Sequence, residues 1–280
     1  MLALDRMAIE EAGPNPERLA AAIHDHLRHK SGEVPVAAIA AALDIVEIKE
    51  ARLKSLEGAL IAPADRNVGA ILVNSESSPP RRRFTLAHEL GHFLNPFHRS
   101  EDPSGSFACS RAELATPWRK PSPAASRRLV QEAEANRFAI ELLAPPRLMH
   151  PYLRGVPDLA KALALSNEFG LSREAGARRY VELHDQPSAL VFSAEGVVRY
   201  VERTPAFPFV SRQRGQRLSA LPSPVDDTGL SVHEEGSSRD WLVRASCDAL
   251  VVQTLSQRRG YAITLLAFEA AGSDDHGEVI

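Results

Sequence analysis

Helical spacing of apolar residues dominates the first two thirds of the chain. A segment opened by Asn15, with Pro16 at its first helical position, predicts an amphipathic helix. The next apolar segment predicts a helix that runs into a strand at residues 45–48. Alternating residues on both sides of a polar turn then predict a β-hairpin with strands over 59–62 and 70–73.

Two longer helices follow, over about 80–95 and 126–143, and the connection between them is rich in proline and serine. Connections of this length inside compact domains are usually functional lids or disordered insertions. We therefore expect residues 96–125 to frame a site, although the sequence indicates no conformation for them.

The pattern changes after a helix–turn–helix over 157–184 that has Gly170 at its turn. The segment "SALVFSAEGVVRYV" predicts strand–turn–strand, and "YAITLLAF" predicts a late buried strand. We therefore predict an α+β fold in three parts, which are a first domain over 1–156, a helix-turn-helix-like subdomain over 157–186 and a small, mixed, β-rich domain over 187–280.

Composition narrows the class of protein. The chain has 280 residues, and 33 basic against 36 acidic side chains give a net charge of −3, so no global charge favours a nucleic-acid coat or a membrane-surface protein. Cys109 and Cys247 are too few and too far apart for a disulfide framework or a CxxC zinc site. Acidic residues stand where a signal peptide needs an apolar core, and no apolar run approaches about 18 residues. We expect a cytoplasmic protein without membrane contact.

Histidines occur in two groups with different spacing. His24, His26 and His29 share the first amphipathic helix, but His26 is rotated by about 200° from His24, so we predict that they do not form a metal site. In "HELGH", His88 and His92 are four residues apart on one helical face and can bind one Zn²⁺.

Two further residues of "HELGH" carry information. Glu89 is turned about 100° from His88, so it can reach a water molecule beside a metal without being a ligand. Gly91 is unfavourable inside a helix by about 1 kcal/mol relative to alanine, which indicates that another part of the chain packs closely there.

One candidate for the third ligand is His98. The stretch "HELGHFLNPFH" fits the metzincin pattern HExxHxxGxxH except at the glycine, which is Asn95 here. That glycine allows a sharp turn, whereas the proline after Asn95 favours extended backbone. This candidate is therefore disfavoured, as is Met149 as the matching methionine turn.

The other candidates lie in "SRRLVQEAEANRFAIELLAP". Helical spacing places Glu132 on a largely apolar stripe that also contains Leu129, Asn136, Ala139 and Leu143. Glu134 instead falls on a mostly solvated face, so we predict Glu132 as the ligand, with Asn136 bonded to a ligating side chain. The alternative for Glu132 is a buried ion pair with an arginine such as Arg83.

The segments "RRRFTLAHELGHFLN" and "EAEANRFAIELLAPPRLM" resemble the ImmA/IrrE family of metallopeptidases. The signatures of this family are F-T-x-A-H-E-x-G-H and E-x-x-A-N-x-F-A-x-x-L-L-x-P. The resemblance covers roughly residues 30–185. It implies a zincin-like, gluzincin-type metallopeptidase domain in which His88, His92 and Glu132 bind one zinc ion, with Mn²⁺ as the alternative metal. The departures are the long insertion before the second signature and Ala144, where the family often has methionine.

Three protein ligands leave a position for water on the metal, so the expected reaction is peptide-bond hydrolysis with Glu89 as the catalytic base. Tyr180 and His184 are candidate donors to the oxyanion, although a structural role is the simpler interpretation of both. The resemblance implies the substrate. The expected partner is a protein substrate, a helix-turn-helix transcriptional repressor, whose cleavage relieves repression in phage, mobile-element or stress circuits. Cys109 could be a redox-sensitive or metal-masking thiol, although an incidental loop cysteine is the simpler interpretation.

A different class of function is a DNA-binding regulator that uses the segment over 157–184. Its second predicted helix carries Arg173, Arg178 and Arg179, but four basic and four acidic side chains cancel across the segment, whereas recognition modules are usually basic. DNA binding is therefore the alternative to the metallopeptidase function. A sensory role for the β-rich domain rests on analogy with the family alone.

Overall fold

Helices and two β-sheets make up the described part of the protein, which confirms the predicted α+β class. The structure is a computed structural model that describes residues 2–27, 29–63, 65–100, 106–114, 122, 124–218, 221–225, 227–244 and 249–268. Cys247 and parts of the 96–125 connection lie outside the described residues.

The chain divides into two compact units. The first consists of Met1–Leu148 with Asn167–Ser172, and the second consists of Met149–Ser166 with Arg173–Ile280. The domain boundaries predicted at 156 and 186 remain predictions. Within the described residues, no helix has both the length and the apolar character that crossing a bilayer requires.

The first unit surrounds a small mixed sheet with helices. Its helices are α1 (Arg6–Glu10), α2 (Pro16–Leu27), α3 (Val36–Ala42), α4 (Pro79–Leu94), α5 (Arg111–Leu114) and α6 (Arg127–Leu143), and α7 (Pro146–Met149) lies at the junction. Its strands are β1 (Ile45–Ala51), β2 (Leu56–Ile61), β3 (Gly69–Asn74) and β4 (Phe107–Ser110), arranged in the order β1-β3-β2-β4. Strands β2 and β3 form the predicted antiparallel pair, and β1 runs parallel to β3.

Strand β4 lies in the 96–125 connection, for which the sequence indicated no conformation. It pairs antiparallel with β2, so that Cys109 lies opposite Gly58 and Phe107 lies opposite Leu60. The segment is short and follows a proline- and serine-rich stretch, and its backbone hydrogen bonds go to a strand about 50 residues earlier in the chain. Local sequence patterns do not report pairing over such a distance.

Helices α4 and α6 form the centre of the first unit. Every residue of α4 from 85 to 94 is buried, and the helix begins with two prolines after Ser78. Ser126 caps α6 by accepting a hydrogen bond from the Leu129 amide at 3.3 Å. Gly91 allows α4 and α6 to approach each other closely, as a glycine inside a helix indicates. A Cβ atom at this position would lie 2.9 Å from Cδ1 of Phe138 on α6.

The prediction that α6 has a solvated face is wrong. Gln131, Phe138 and Glu141 are buried on that face, whereas Leu129, which was expected in the core, is 42% exposed. Helix α2 covers this side of α6, where Arg137 pairs with Glu17 at 2.9 Å and the His24 ring bonds to a carbonyl near the end of α6. Polar side chains can be buried on this face of α6 because other groups in the fold form hydrogen bonds or ion pairs with them.

The second unit combines helices with an antiparallel sheet. Its helices are α8 (Leu159–Glu168), whose last two residues belong to the first unit, α9 (Arg173–Leu183) and α10 (Ser238–Trp241), with 3₁₀ turns at His150–Tyr152 and Arg258–Gly260. Its strands are β5 (Ser188–Ala194), β6 (Val197–Arg203), β7 (Glu234–Gly236), β8 (Leu250–Ser256) and β9 (Tyr261–Phe268), in the order β6-β5-β9-β8-β7. The β5–β6 hairpin and β9 agree with the sequence patterns, and Phe207 and Trp241 join the core of this sheet.

Candidate metal centre

Helices α4 and α6 bring His88, His92 and Glu132 together. The Nε2 atoms of the two histidines are 3.1 Å apart. Glu132 Oε2 lies 3.3 Å from His88 Nε2, and Glu132 Oε1 lies 3.7 Å from His92 Nε2. All three side chains are buried, and these potential ligand atoms converge on one point.

The spacing of these atoms fits a small divalent cation. Zinc binds nitrogen and carboxylate oxygen at about 2.0–2.2 Å, so ligands at the corners of a tetrahedron are separated by about 3.3–3.6 Å. The three observed separations of 3.1, 3.3 and 3.7 Å bracket that range. Two imidazoles and one carboxylate are also a typical donor set for catalytic zinc.

The charges in the cluster favour a bound cation. Burial alone would raise the pKa of Glu132, but hydrogen bonding and charge from His88 and His92 hold this pKa well below its usual range. Burial lowers the pKa of His92 to about 3, so its imidazole is neutral, as a metal ligand must be. Burial also opposes ionisation of His88, yet the carboxylates of Glu132 and Glu89 outweigh it and raise its pKa.

Asn136 determines which nitrogen of His88 faces the cluster. The Asn136 side-chain nitrogen donates to the carbonyl of Glu113 at 3.0 Å, so its Oδ1 must be the atom 2.9 Å from His88 Nδ1. His88 Nδ1 therefore carries the proton and donates it to Asn136. This arrangement leaves the lone pair of His88 Nε2 directed at the cluster, which is the effect of a side chain that orients a ligand.

Glu89 lies beside the cluster but contributes to a different set of contacts. Its Oε1 accepts a hydrogen bond from the Cys109 thiol at 2.7 Å, and its Oε2 makes no hydrogen bond within the described part of the chain. Burial raises the pKa of Glu89 to about 7, which suits a group that takes up and releases a proton near neutral pH. Gly58 on β2 permits this packing, because a Cβ atom there would lie 2.4 Å from Thr85 Cγ2.

His98 lies on the other side of His92. Its Nδ1 is 2.8 Å from His92 Nδ1, the nitrogen that faces away from His88 and Glu132, and its Nε2 is 3.0 Å from Glu134 Oε2. Asn95 has extended backbone angles, as its position before proline predicts. His98, which was disfavoured as the third ligand, therefore lies next to His92 but on the side of its ring that faces away from His88 and Glu132.

Arg66 anchors the segment that carries His98. Its guanidinium donates hydrogen bonds to the carbonyls of His92 (2.7 Å) and Phe93 (3.3 Å), and also to those of Asn95 and His98. Some of these carbonyls belong to the last turn of α4, where backbone carbonyls have no donor within the helix. Sequence patterns gave no signal for this residue, because Arg66 lies in the polar turn between β2 and β3, about 30 residues before its partners.

The alternatives to Glu132 as a metal ligand involve Arg83 and Glu134, and both of these side chains have other partners. Arg83 pairs with Glu33 at 2.7 Å, so it is not the partner of Glu132. Glu134, the competing ligand, is bonded to His98 instead. His24, His26 and His29 bond separately to backbone carbonyls, and within the described residues they form no metal-ligating group.

Tyr180 and His184 lie in the second unit. Tyr180 is buried and its hydroxyl accepts a hydrogen bond from the Asp158 amide at 3.1 Å, while His184 Nδ1 accepts one from the Gln186 amide at 3.0 Å. Their predicted role as oxyanion donors stays a prediction.

Comparison with known proteins identifies the class. Two imidazoles and a carboxylate from facing helices, with a glutamate next to the first histidine, are the arrangement of zinc peptidases. Residues 54–180 match the model of the family Peptidase_M78, described as the IrrE N-terminal-like domain. The matched residues include both motif-bearing segments, so this similarity confirms the resemblance seen in the motifs.

Other comparisons are more distant. A solved structure of a Mycobacterium tuberculosis transcriptional regulator is similar to this chain, with a TM-score of 0.45 and 14% sequence identity over 94% of this chain and 75% of that one. Comparison with curated proteins gave no match.

Proposed function

We propose that this protein is a zinc-dependent endopeptidase in which His88, His92 and Glu132 hold the metal and Glu89 is the catalytic base. The observation that carries the proposal is the convergence of three buried ligand atoms at separations of 3.1–3.7 Å. The match of residues 54–180 to a peptidase family supports the same reaction. Mn²⁺ is the alternative ion.

The reaction is hydrolysis of a peptide bond. When bound, zinc supplies Lewis acidity, which polarises the scissile carbonyl and makes a water molecule more acidic. Glu89 accepts the proton as the water oxygen forms its bond to the carbonyl carbon. Glu89 then gives the proton to the leaving nitrogen as the carbon–nitrogen bond breaks. The products are a carboxylic acid and an amine, and transfer of the acid's proton to the amine gives a carboxylate and an ammonium group near neutral pH.

Two features of the chain prepare Glu89 for this role. The carboxylate is buried beside His88, and the removal of water from its surroundings raises its pKa to about 7. The Cys109 thiol bonds to Oε1, which restricts the rotation of the carboxylate and leaves Oε2 to take the proton. These contacts support different roles for the residues that would hold the metal and for Glu89, which would carry the proton.

We further propose that the substrate is a helix-turn-helix transcriptional repressor, which is cleaved at a specific site in the cytoplasm to relieve repression. The support is the similarity of both signatures to the ImmA/IrrE family. The DNA-binding alternative has less support, because Arg178 pairs with Glu202 at 3.2 Å and the buried Arg179 pairs with Glu182 at 3.0 Å. Arginines engaged in this way are poorly placed to bind phosphates.

The test is to substitute Glu89→Gln and to measure zinc content and cleavage of a helix-turn-helix repressor encoded beside the gene. We expect zinc content to be unchanged and the cleavage rate to fall by about 10²–10⁴-fold, because the amide cannot take up the proton. Glu47→Gln, at an exposed position on β1, is the matched control and should cleave normally. Cleavage by Glu89→Gln at the wild-type rate would refute the assignment of the base.

A further inference from the structure

Beyond the three ligand candidates, we propose that His98 and Glu134 are positioning residues that fix the tautomer and ring orientation of His92 and thereby increase its affinity for the metal. The proposal rests on the proposed function, in that it requires a metal at His92 Nε2. Its basis is a series of hydrogen bonds that leads from the metal centre to the surface of α6.

The geometry defines two faces of the His92 ring. Nε2 faces His88 and Glu132, whereas Nδ1 faces His98 Nδ1 at 2.8 Å. The next link joins His98 Nε2 to Glu134 Oε2 at 3.0 Å. Both histidines are about 99% buried, so water does not replace these contacts, and Glu134 alone in the series reaches the surface.

Proton counting allows one arrangement of neutral rings. A carboxylate only accepts hydrogen bonds, so His98 Nε2 must carry the hydrogen that is donated to Glu134. His98 Nδ1 is then an acceptor, and His92 Nδ1 must be the donor to it. The lone pair of His92 is consequently on Nε2, the nitrogen that faces Glu132, which is the tautomer that a metal requires there.

Other parts of the chain hold His98 in this position. Arg66 donates to the carbonyls of Asn95 and His98, so the turn after α4 is attached to the fold on its backbone side. Phe107 on β4 stacks on the His92 ring with a centroid distance of 4.7 Å and an interplanar angle of 26°. The ring is thus bounded by a flat hydrophobic surface and by a hydrogen bond at Nδ1.

The same geometry argues against His98 as a direct ligand. The centroid of the His98 ring is 4.8 Å from that of the His92 ring. The His98 nitrogen nearest to His92 is Nδ1, and it faces Nδ1 of His92. Within the described residues, two groups of side chains could share one ion: His88 with His92 and Glu132, and His88 with Glu89 and Cys109. Neither group includes His98. A carboxylate behind a metal-binding histidine is a known means of orienting it, and here a second histidine is placed between the two.

The test measures zinc affinity by competition with a chromophoric chelator, independently of any cleavage. His98→Ala should weaken zinc binding by about 10–100-fold, the range found when a residue that supports a ligand is removed. Glu134→Leu removes the acceptor and should weaken binding by about tenfold, whereas Glu134→Gln keeps an acceptor oxygen and should stay within about threefold of wild type. His26→Gln, at an exposed histidine on α2, is the control.

A second measurement distinguishes positioning from general loss of structure. In the zinc-loaded protein, ¹H–¹⁵N NMR of the imidazoles should show His92 protonated at Nδ1, with a downfield proton that disappears in His98→Ala. The metal-free forms of His98→Ala and Glu134→Leu should keep the far-UV circular dichroism of the wild type. A His92 protonated at Nε2 would overturn the proposal.

The outcomes separate this proposal from the function on which it rests. If His98→Ala and Glu134→Leu bind zinc as tightly as wild type while Glu132→Ala does not, the positioning role is wrong and the metal site stands. If Glu132→Ala keeps its zinc and His98→Ala loses it entirely, His98 is the ligand and both proposals fail. If the wild-type protein binds no zinc, the metal centre is refuted, and the positioning role with it.

Discussion

At the scale of single residues, side chains far apart in sequence define the environment of each histidine nitrogen. Asn136 accepts from His88 Nδ1, and His98 contacts His92 Nδ1, so both rings direct Nε2 at Glu132. The partners in both contacts are held by other parts of the fold, so the chain itself orients the two rings. Side chains that are oriented in this way lose less conformational freedom when they bind a ligand.

Arg66 shows how much of this organisation depends on one side chain. Replacing Arg66 with alanine removes the donors to a group of carbonyls at the end of α4, and we expect the free energy of unfolding to fall by about 2–4 kcal/mol. Hydrogen exchange followed by mass spectrometry should show lower protection of the peptide over 86–98. Lysine should restore only part of the loss, because an ammonium group cannot reproduce the planar array of donors. Unchanged protection in Arg66→Ala would contradict this account.

At the scale of elements, the distance between α4 and α6 sets the size of the metal centre, since the histidines lie on one helix and the carboxylate lies on the other. Gly91 and Phe138 meet at the closest approach of the two helices. Any change that separates the helices therefore also moves Glu132 away from His88 and His92.

We expect Gly91→Ala to destabilise the first unit even though alanine favours a helix by about 1 kcal/mol. The new methyl group would lie 2.9 Å from Phe138, and overpacking of this kind costs about 1–3 kcal/mol. Zinc affinity should fall in the same variant, because α6 must shift. Adding Phe138→Leu should recover part of both losses, which a double-mutant cycle would measure. A Gly91→Ala variant more stable than wild type would show that the helices adjust without cost.

The helices of the site could be predicted from sequence, and their surroundings could not. The spacing of His88 and His92 and the helical periodicity around Glu132 are local signals, and these residues do lie together. The buried side of α6 and the pairing of β4 with β2 depend on partners elsewhere in the chain. His98 illustrates the limit: Asn95 and the proline after it disfavoured His98 as a ligand, and only the fold shows that it contacts Nδ1 of His92.

At the scale of the whole molecule, the buried histidines make stability depend on pH. His24 bonds to the carbonyl of Leu142 at 2.9 Å and so joins α2 to the end of α6, while its Nδ1 has no hydrogen-bond partner in the described part of the chain. Burial, the largest effect, lowers the pKa of His24 below its ordinary value of 6.5. The folded protein therefore keeps this ring neutral at a pH where the unfolded chain has already bound a proton.

The sign of the effect follows from this difference. Above pH of about 6.5 neither state binds the proton, and His24 contributes no pH dependence. As the pH falls through that value, only the unfolded state gains a proton, so stability decreases by up to about 1.4 kcal/mol per pH unit until the folded-state pKa is reached. His24→Gln keeps a donor for Leu142 but cannot titrate. Its unfolding free energy, measured by denaturant titration between pH 4.5 and 8, should therefore decline less steeply below pH 6.5, whereas His26→Gln should follow the wild type. Parallel profiles for wild type and His24→Gln would mean that His24 does not carry this dependence.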